Sequence, residues 1–197
     1  MNNGFFFFLD IINSYIQNYY YLSLFIFFLF LLIYFSFSLP GGLILLLASG
    51  FFFGFLIGFI INIVSIVLGS LIFFIVSKFL FKNLLKNYYE IYSLKLTNII
   101  KKSSYEYLIL LRLIVGAPLF IQNLCLSILN ISKVKFIISS SIGFSPFVVI
   151  FSYLGNQLSD LIQVKKFNLI EVFTFELLII FLILIIVILL RIFYKNK

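Results

Sequence analysis

The sequence predicts an all-α integral membrane protein with about four transmembrane helices and two opposed re-entrant helical hairpins. The first observation is composition, because 64% of the 197 residues are hydrophobic and 10% are charged. Soluble domains are about half apolar and about a quarter charged. The second observation is that residues 11–77 contain no charged side chain. The third is that glycine, proline and polar residues interrupt two of the apolar stretches, which lipid-facing helices do not favour.

The N-terminal segment, residues 1–21, mixes aromatic residues with Asn, Gln and one Asp. It has neither a basic start nor a small-residue cleavage site, so it lacks the pattern of a signal peptide. We expect a short interfacial helix with the tyrosines at 19–21 at the headgroup level, and a disordered apolar tail is the alternative. Residues 22–39 are predicted to form the first transmembrane helix, which ends at Pro40.

The next stretch, Leu39 to Ser77, is too long for one membrane span and too short for two spans and a loop. One span of a ~30 Å hydrocarbon core takes roughly 20 residues at about 1.5 Å each. One interpretation is two full spans with almost no loop. The other is a re-entrant hairpin at 40–58 followed by a span at 59–77. The glycines favour the second, because they permit a tight turn and close helix contact.

The most polar segment, residues 78–104, carries six lysines and one glutamate. Five apolar side chains recur there at helical spacing: Leu85, Tyr88, Tyr92, Leu96 and Ile99. The spacing predicts an amphipathic helix on an anionic membrane leaflet. A basic cytoplasmic loop is the alternative, and both interpretations place this segment in the cytoplasm.

A second interrupted stretch, residues 106–132, is predicted to be another broken hairpin. Five residues interrupt its apolar run: Arg112, Gly116, Pro118, Gln122 and Asn123. We expect a span at 136–154 after it and a last transmembrane helix at 172–190. In the first hairpin and its span, Asn62 and Ser65 are expected to form hydrogen bonds between helices.

The distribution of basic residues predicts the orientation. With both termini in the cytoplasm, eleven of the fourteen Lys and Arg lie on the cytoplasmic side, Lys165 and Lys166 lie outside, and Arg112 lies in the membrane. This bias is typical of a multi-pass protein of the cell membrane. The first hairpin then enters from outside and the second from inside. Such an inverted repeat of interrupted segments indicates a transport site.

Taken together, these motifs resemble the DedA / SNARE-associated Golgi protein superfamily, whose domain is the VTT domain, over roughly residues 35–160. The residues that carry the resemblance are Pro40, Gly41, Gly50, Phe53, Gly54, Gly58, Gly69, Leu111, Arg112, Leu113, Pro118, Asn123, Gly143, Pro146, Tyr153, Leu154 and Gly155. The resemblance implies a VTT-like core at 40–160 with opposed re-entrant hairpins. It also implies movement of lipids between leaflets: phospholipid scrambling in eukaryotic relatives and polyprenyl-phosphate recycling in several bacterial DedA proteins.

One departure from the DedA pattern concerns proton coupling. DedA proteins tied to the proton-motive force carry acidic residues in or near the first hairpin, and residues 40–58 contain none. The chain therefore looks closer to the SNARE-associated Golgi protein branch.

The candidate substrate-binding residues are Arg112, Gln122 and Asn123. Glu106 is a poor partner for Arg112, because six positions turn a helix by about 240°, and a guanidinium with five donors suits a lipid phosphate. Snorkelling to the cytoplasmic headgroups or capping of backbone carbonyls is the alternative. Gln122 and Asn123 either bind the headgroup or satisfy carbonyls that Pro118 leaves without a donor.

These features predict a lipid transporter or scramblase that moves phospholipid or polyprenyl-phosphate headgroups between leaflets. A non-transporting scaffold or assembly factor for envelope homeostasis is the alternative. We do not expect an enzyme, because histidine is absent and the six acidic residues are scattered. No metal, cofactor or nucleic acid is expected, since topology accounts for the basic residues. The expected partners are membrane lipids, and the oligomeric state stays open, a homo-oligomer included.

Overall fold

The computed structural model describes residues 3–84, 105–113, 118–129 and 131–163, and the regular structure in these ranges is entirely helical. The helices are α1 (Asn3–Asn18), α2 (Tyr20–Ser36), α3 (Gly42–Phe53), α4 (Phe55–Leu84), α5 (Tyr105–Leu113), α6 (Leu119–Ile128) and α7 (Lys133–Gln163). The predicted all-α class is therefore confirmed for these ranges. The predicted last transmembrane helix and most of the predicted amphipathic segment lie outside them.

Two helices are long and apolar enough to cross a membrane. They are Phe55–Leu80 in α4, with 26 residues, and Lys133–Asp160 in α7, with 28 residues. The pair Ile11–Asn18 and Tyr20–Ser36 passes the same test only as a unit, and its two parts meet at 109°. The described ranges thus contain two or three candidate spans. The bend also turns α1 away from the axis of α2, and the interfacial position of α1 stays a prediction.

The chain between α3 and α4 turns at Gly54. Its φ of 79° lies in the left-handed region that glycine adopts without steric cost. With 12 residues, α3 is about 18 Å long, which is too short to cross a ~30 Å core. The helix after the turn continues through Gly58, whose amide donates to the Gly54 carbonyl at 2.9 Å. The predicted boundary between hairpin and span at residues 58 and 59 therefore falls inside one continuous helix.

Glycines allow α3, α4 and α7 to pack backbone against backbone. A Cβ on Gly50 would overlap the carbonyl of Ser152, and a Cβ on Gly155 would overlap the carbonyl of Leu47. A Cβ on Gly58 would lie 2.8 Å from the Gly50 nitrogen. Small residues of this kind let membrane helices approach closely. These contacts hold the short helix α3 between the two long helices.

The first half of the described chain, α1 to α4, packs on the second half, α5 to α7. The short helix of each half contacts the long helix of the other. The short helix α3 packs on α7, and the short helix α6 packs on α4. In the first half α2 contacts α4 at Gly69, whose Cβ would lie 2.6 Å from Phe35 Cβ. In the second half α5 contacts α7 at Gly143, whose Cβ would overlap Arg112 Cβ. Phe35 and Arg112 occupy corresponding places in this packing pattern, each against a glycine of a long helix. The inverted repeat and its two re-entrant hairpins stay predictions.

The prolines lie at or near helix ends in two of three cases. Pro118 precedes the first residue of α6, as predicted for a helix break. Pro40 lies between α2 and α3, where its carbonyl accepts a hydrogen bond from the Tyr34 hydroxyl. Pro146 lies inside α7, which continues through it. Pro40 and Pro118 thus separate the short helices α3 and α6 from the helices α2 and α5 that precede them.

Candidate functional site

Arg112 is a buried charge in the last turn of α5. Its side chain is 1% exposed, and its Nε donates to Ser140 Oγ at 3.2 Å. Its Cζ lies 5.0 Å from the centre of the Phe136 ring and 4.6 Å from that of Phe144. The guanidinium is therefore held by one hydrogen bond and two aromatic faces, all from α7.

The terminal nitrogens of this guanidinium, Nη1 and Nη2, are buried and have no hydrogen-bond partner among the residues that the structure describes. Together they carry four N–H groups. Aromatic faces offset part of the cost of burying a cation, by about 2 kcal/mol when water is excluded. They do not replace hydrogen bonds, and the effective penalty for a buried unpaired ion is several kcal/mol. An anion that accepts from these N–H groups is therefore the partner that this guanidinium suits.

The local packing explains why α5 presents Arg112 to α7. Gly143 leaves room for the Cβ of Arg112, and the Ile109 carbonyl would lie 3.2 Å from a Cβ placed there. Any larger residue at position 143 would hold the two helices apart. Because the side chain is buried by α7, its head does not extend to the surface as a snorkelling arginine would.

The other two predicted binding residues lie on α6. Gln122 is 7% exposed and Asn123 is fully buried. Asn123 Nδ2 donates to Ser38 Oγ at 2.8 Å, while its Oδ1 has no hydrogen-bond partner. Arg112 makes no hydrogen bond with either residue. The structure thus places Asn123 at the segment between α2 and α3 and does not join it to the guanidinium.

The bond from Asn123 reaches a residue with an unusual backbone. Ser38 has a φ of 50°, in the left-handed region that residues other than glycine rarely adopt. Its side chain is 4% exposed. Such a conformation persists when surrounding contacts hold it. Asn123 is one of these contacts, and it links the second predicted hairpin to the start of the first.

Sequence reasoning did not identify the residues of α7 that surround Arg112: Phe136, Ser140 and Phe144. A signal for Ser140 is present, because Ser139, Ser140 and Ser141 form a polar run inside an apolar helix. Ser139 uses its hydroxyl on the carbonyls of Lys135 and Phe136, whereas Ser140 accepts from the arginine.

A second buried polar cluster lies in the first half, around Asn62. Its Nδ2 donates to the Leu46 carbonyl and to Ser152 Oγ, each at 2.9 Å. The expected role of Asn62 in bonding between helices is confirmed, because these bonds join α4 to α3 and α7. Asn62 Oδ1 and the nearby hydroxyl of Ser65 have no partner. The cluster contains no charge, so its requirement for a ligand is weaker than that of Arg112.

The start of α4 is capped by α7. The backbone amide of Phe55 donates to Asn156 Oδ1 at 3.2 Å, which satisfies one of the donors that a helix N-terminus leaves open. Asn156 Nδ2 donates in turn to Asp160 at 3.3 Å. The turn at Gly54 is therefore held by a side chain from the second half of the chain.

Comparison with known protein families identifies the family of this chain. A family model, the VTT domain, matches residues 39–157, which is more than half of the chain and includes α3 to α6, most of α7, and Arg112. No curated protein and no solved structure matches the chain. The chain therefore belongs to the VTT domain family, the family of the DedA and SNARE-associated Golgi membrane proteins.

Proposed function

We propose that this membrane protein moves phosphate-bearing lipid headgroups between leaflets, and that Arg112 binds the phosphate. The family is membrane-associated, regarded as non-enzymatic and transporter-like. The observation that carries the proposal is the buried guanidinium, whose two terminal nitrogens have no hydrogen-bond partner within the described ranges.

A lipid phosphate offers the hydrogen-bond acceptors and the negative charge that suit this guanidinium. Its oxygens accept paired hydrogen bonds from the planar guanidinium, and its charge neutralises the cation. Each hydrogen bond to a charged group contributes about 1.5–3 kcal/mol. No carboxylate competes from the segments that form the helical core, because residues 11–77, 107–132 and 136–159 contain no Asp or Glu.

Access to this site requires movement. Arg112 is 1% exposed, so a headgroup reaches it only when α5 separates from α7 around Phe136 and Phe144. We propose that Gln122 and Asn123 then line the path, with the Asn123–Ser38 bond breaking or reforming as α6 moves. We also propose that the protein lies in the cell membrane with both termini in the cytoplasm, and the distribution of basic residues supports this.

The test is a flux assay with purified protein in vesicles that contain a fluorescent phospholipid. We expect the wild type to equilibrate the lipid between leaflets and Arg112→Gln to slow this by about 10- to 100-fold, since about 1.4 kcal/mol corresponds to tenfold. Arg191→Gln is the matched control, because it removes the only other arginine, and it should move lipid like the wild type.

Two outcomes would contradict the proposal in different ways. Normal flux by a folded Arg112→Gln protein would show that Arg112 does not bind the lipid phosphate during transport. No flux by the wild type would favour the alternative function, a non-transporting scaffold.

A further inference from the structure

We infer that the Arg112 site selects headgroups with one negative charge, a phosphodiester in preference to a doubly charged phosphomonoester. The inference rests on the proposed function and adds the class of substrate. It follows from the number of charges around the guanidinium and from the low polarity of its surroundings.

The first step concerns the charges on the chain. Residues 107–132, which include most of α5 and all of α6, contain one charged residue, Arg112. Residues 136–159 of α7 and residues 11–77 contain none. A bound anion therefore meets a single positive charge from these segments. A monoanion makes the occupied site neutral, while a dianion leaves one uncompensated negative charge.

The second step concerns the remaining charged residues on the helices around Arg112. In the described ranges these are Lys78 and Lys82 on α4, Glu106 on α5, and Lys133, Lys135 and Asp160 on α7. All lie at or near helix ends. The other titratable side chains on these helices are Tyr105 and Tyr107 on α5, Cys125 on α6 and Tyr153 on α7.

Two of these lysines lie against aromatic rings. Lys78 Nζ lies 5.5 Å from the centre of the Phe74 ring, and the Phe74 and Phe136 ring centres lie 4.6 Å apart. Phe136 in turn contacts Arg112. Lys135 Nζ lies 5.4 Å from the centre of the Tyr105 ring. These two ammonium groups are therefore held at rings other than those of Phe136 and Phe144, which contact the guanidinium.

The third step concerns the cost of the extra charge. Phe136, Phe144 and Gly143 surround Arg112, and Ser140 is its one hydrogen-bond partner in the described part of the chain. In such a site a net charge is not screened by water, and an uncompensated ion costs several kcal/mol. We therefore expect a dianion to pass at least about tenfold more slowly than a monoanion.

A matched pair of lipids tests this: phosphatidic acid and its methyl ester, with identical fluorescent acyl chains. Phosphatidic acid is a phosphomonoester, and phosphomonoesters lose their second proton with a pKa of about 6. The methyl ester keeps one charge. Flux of each through wild-type vesicles is measured at pH 5 and pH 8, after subtraction of flux in protein-free vesicles. Since the chain has no histidine, it lacks the side chain that ordinarily changes charge in this interval.

The expected result is a selective effect of pH. The methyl ester should move at similar rates at both pH values. Phosphatidic acid should match it at pH 5 and fall by about 10- to 100-fold at pH 8, where about 1% of it remains a monoanion. Equal rates for the two lipids at pH 8 would overturn the charge selection while leaving lipid transport intact. Absence of flux for both lipids at both pH values would instead overturn the proposed function.

A further arm separates a lipid phosphate from soluble phosphate. Vesicles loaded with radiolabelled inorganic phosphate should retain it at pH 5, where it is a monoanion like the lipid. Release at the rate of lipid flux would overturn the assignment of a lipid as the ligand.

Discussion

The corresponding positions of Phe35 and Arg112 show how similar packing serves two purposes. Each side chain lies on a glycine of a long helix, Phe35 on Gly69 and Arg112 on Gly143. Each also precedes a short helix that begins just after a proline. Phe35 is 1% exposed and belongs to an apolar core with Leu31, whereas Arg112 is equally buried and charged. The first position belongs to the apolar core, and the second holds a buried charge, which we propose binds a lipid phosphate.

The buried polar residues of the two halves, Asn62 and Arg112, differ in how many of their donors form hydrogen bonds. Asn62 uses both of its N–H groups on α3 and α7. Arg112 uses one donor, on Ser140. The first cluster joins three helices, although Asn62 Oδ1 and the Ser65 hydroxyl have no partner in the described ranges. The second leaves two nitrogens of a cation without one there. The following predictions separate these roles.

The largest effect is expected at the glycine contact between α3 and α7. Gly50→Leu should prevent folding, because even a Cβ overlaps the Ser152 carbonyl and backbone cannot yield as a side chain does. The measurement is the monodisperse fraction after detergent extraction. Ile44→Ala, on the same helix and 73% exposed, is the control and should extract normally. A monodisperse, stable Gly50→Leu protein would contradict the close contact.

A large loss of stability is expected for Phe35→Ala. Removing a buried phenyl ring leaves a cavity and costs about 3–5 kcal/mol. Thermal unfolding in detergent measures it, with Phe37→Ala as the control, because Phe37 is 66% exposed. Flux per folded molecule should be unchanged. If Phe35→Ala instead removed flux without loss of stability, the comparison with Arg112 would be wrong.

A smaller loss is expected for Asn62→Ala. The change leaves the Leu46 carbonyl and Ser152 hydroxyl without this donor, which costs about 1–3 kcal/mol. Thermal unfolding should show lower stability, while lipid flux per folded molecule stays near that of the wild type. Unchanged stability together with lost flux would instead make Asn62 part of the lipid path.

A stability change of similar size but opposite sign is expected for Arg112→Met. Replacing an unpaired buried charge by an apolar side chain is often stabilising, by about 1–4 kcal/mol. Flux should be lost and the unfolding temperature in detergent should rise. A fall in the unfolding temperature would indicate that Arg112 has a structural role instead.

Sequence reasoning predicted the class and the main breaks of the fold. Gly54 and Pro118 lie where short helices end or begin, as expected from residues that turn or stop a helix. The same reasoning ended the first hairpin at residue 58, but Gly58 lies within α4. Glycine allows a turn without requiring one, and here the space is used for contact with α3.

The sequence by itself determined that this chain is a membrane protein and that Arg112 is the one basic residue of its second interrupted segment, residues 106–132. It also determined which family the chain belongs to. These properties follow from composition and from residues in a fixed order. Only the tertiary structure decided that Arg112 lies between Phe136 and Phe144 and away from the surface. It also decided that Asn123 contacts Ser38. Both outcomes depend on which helices meet, and contacts between distant segments are set by packing that local sequence does not encode.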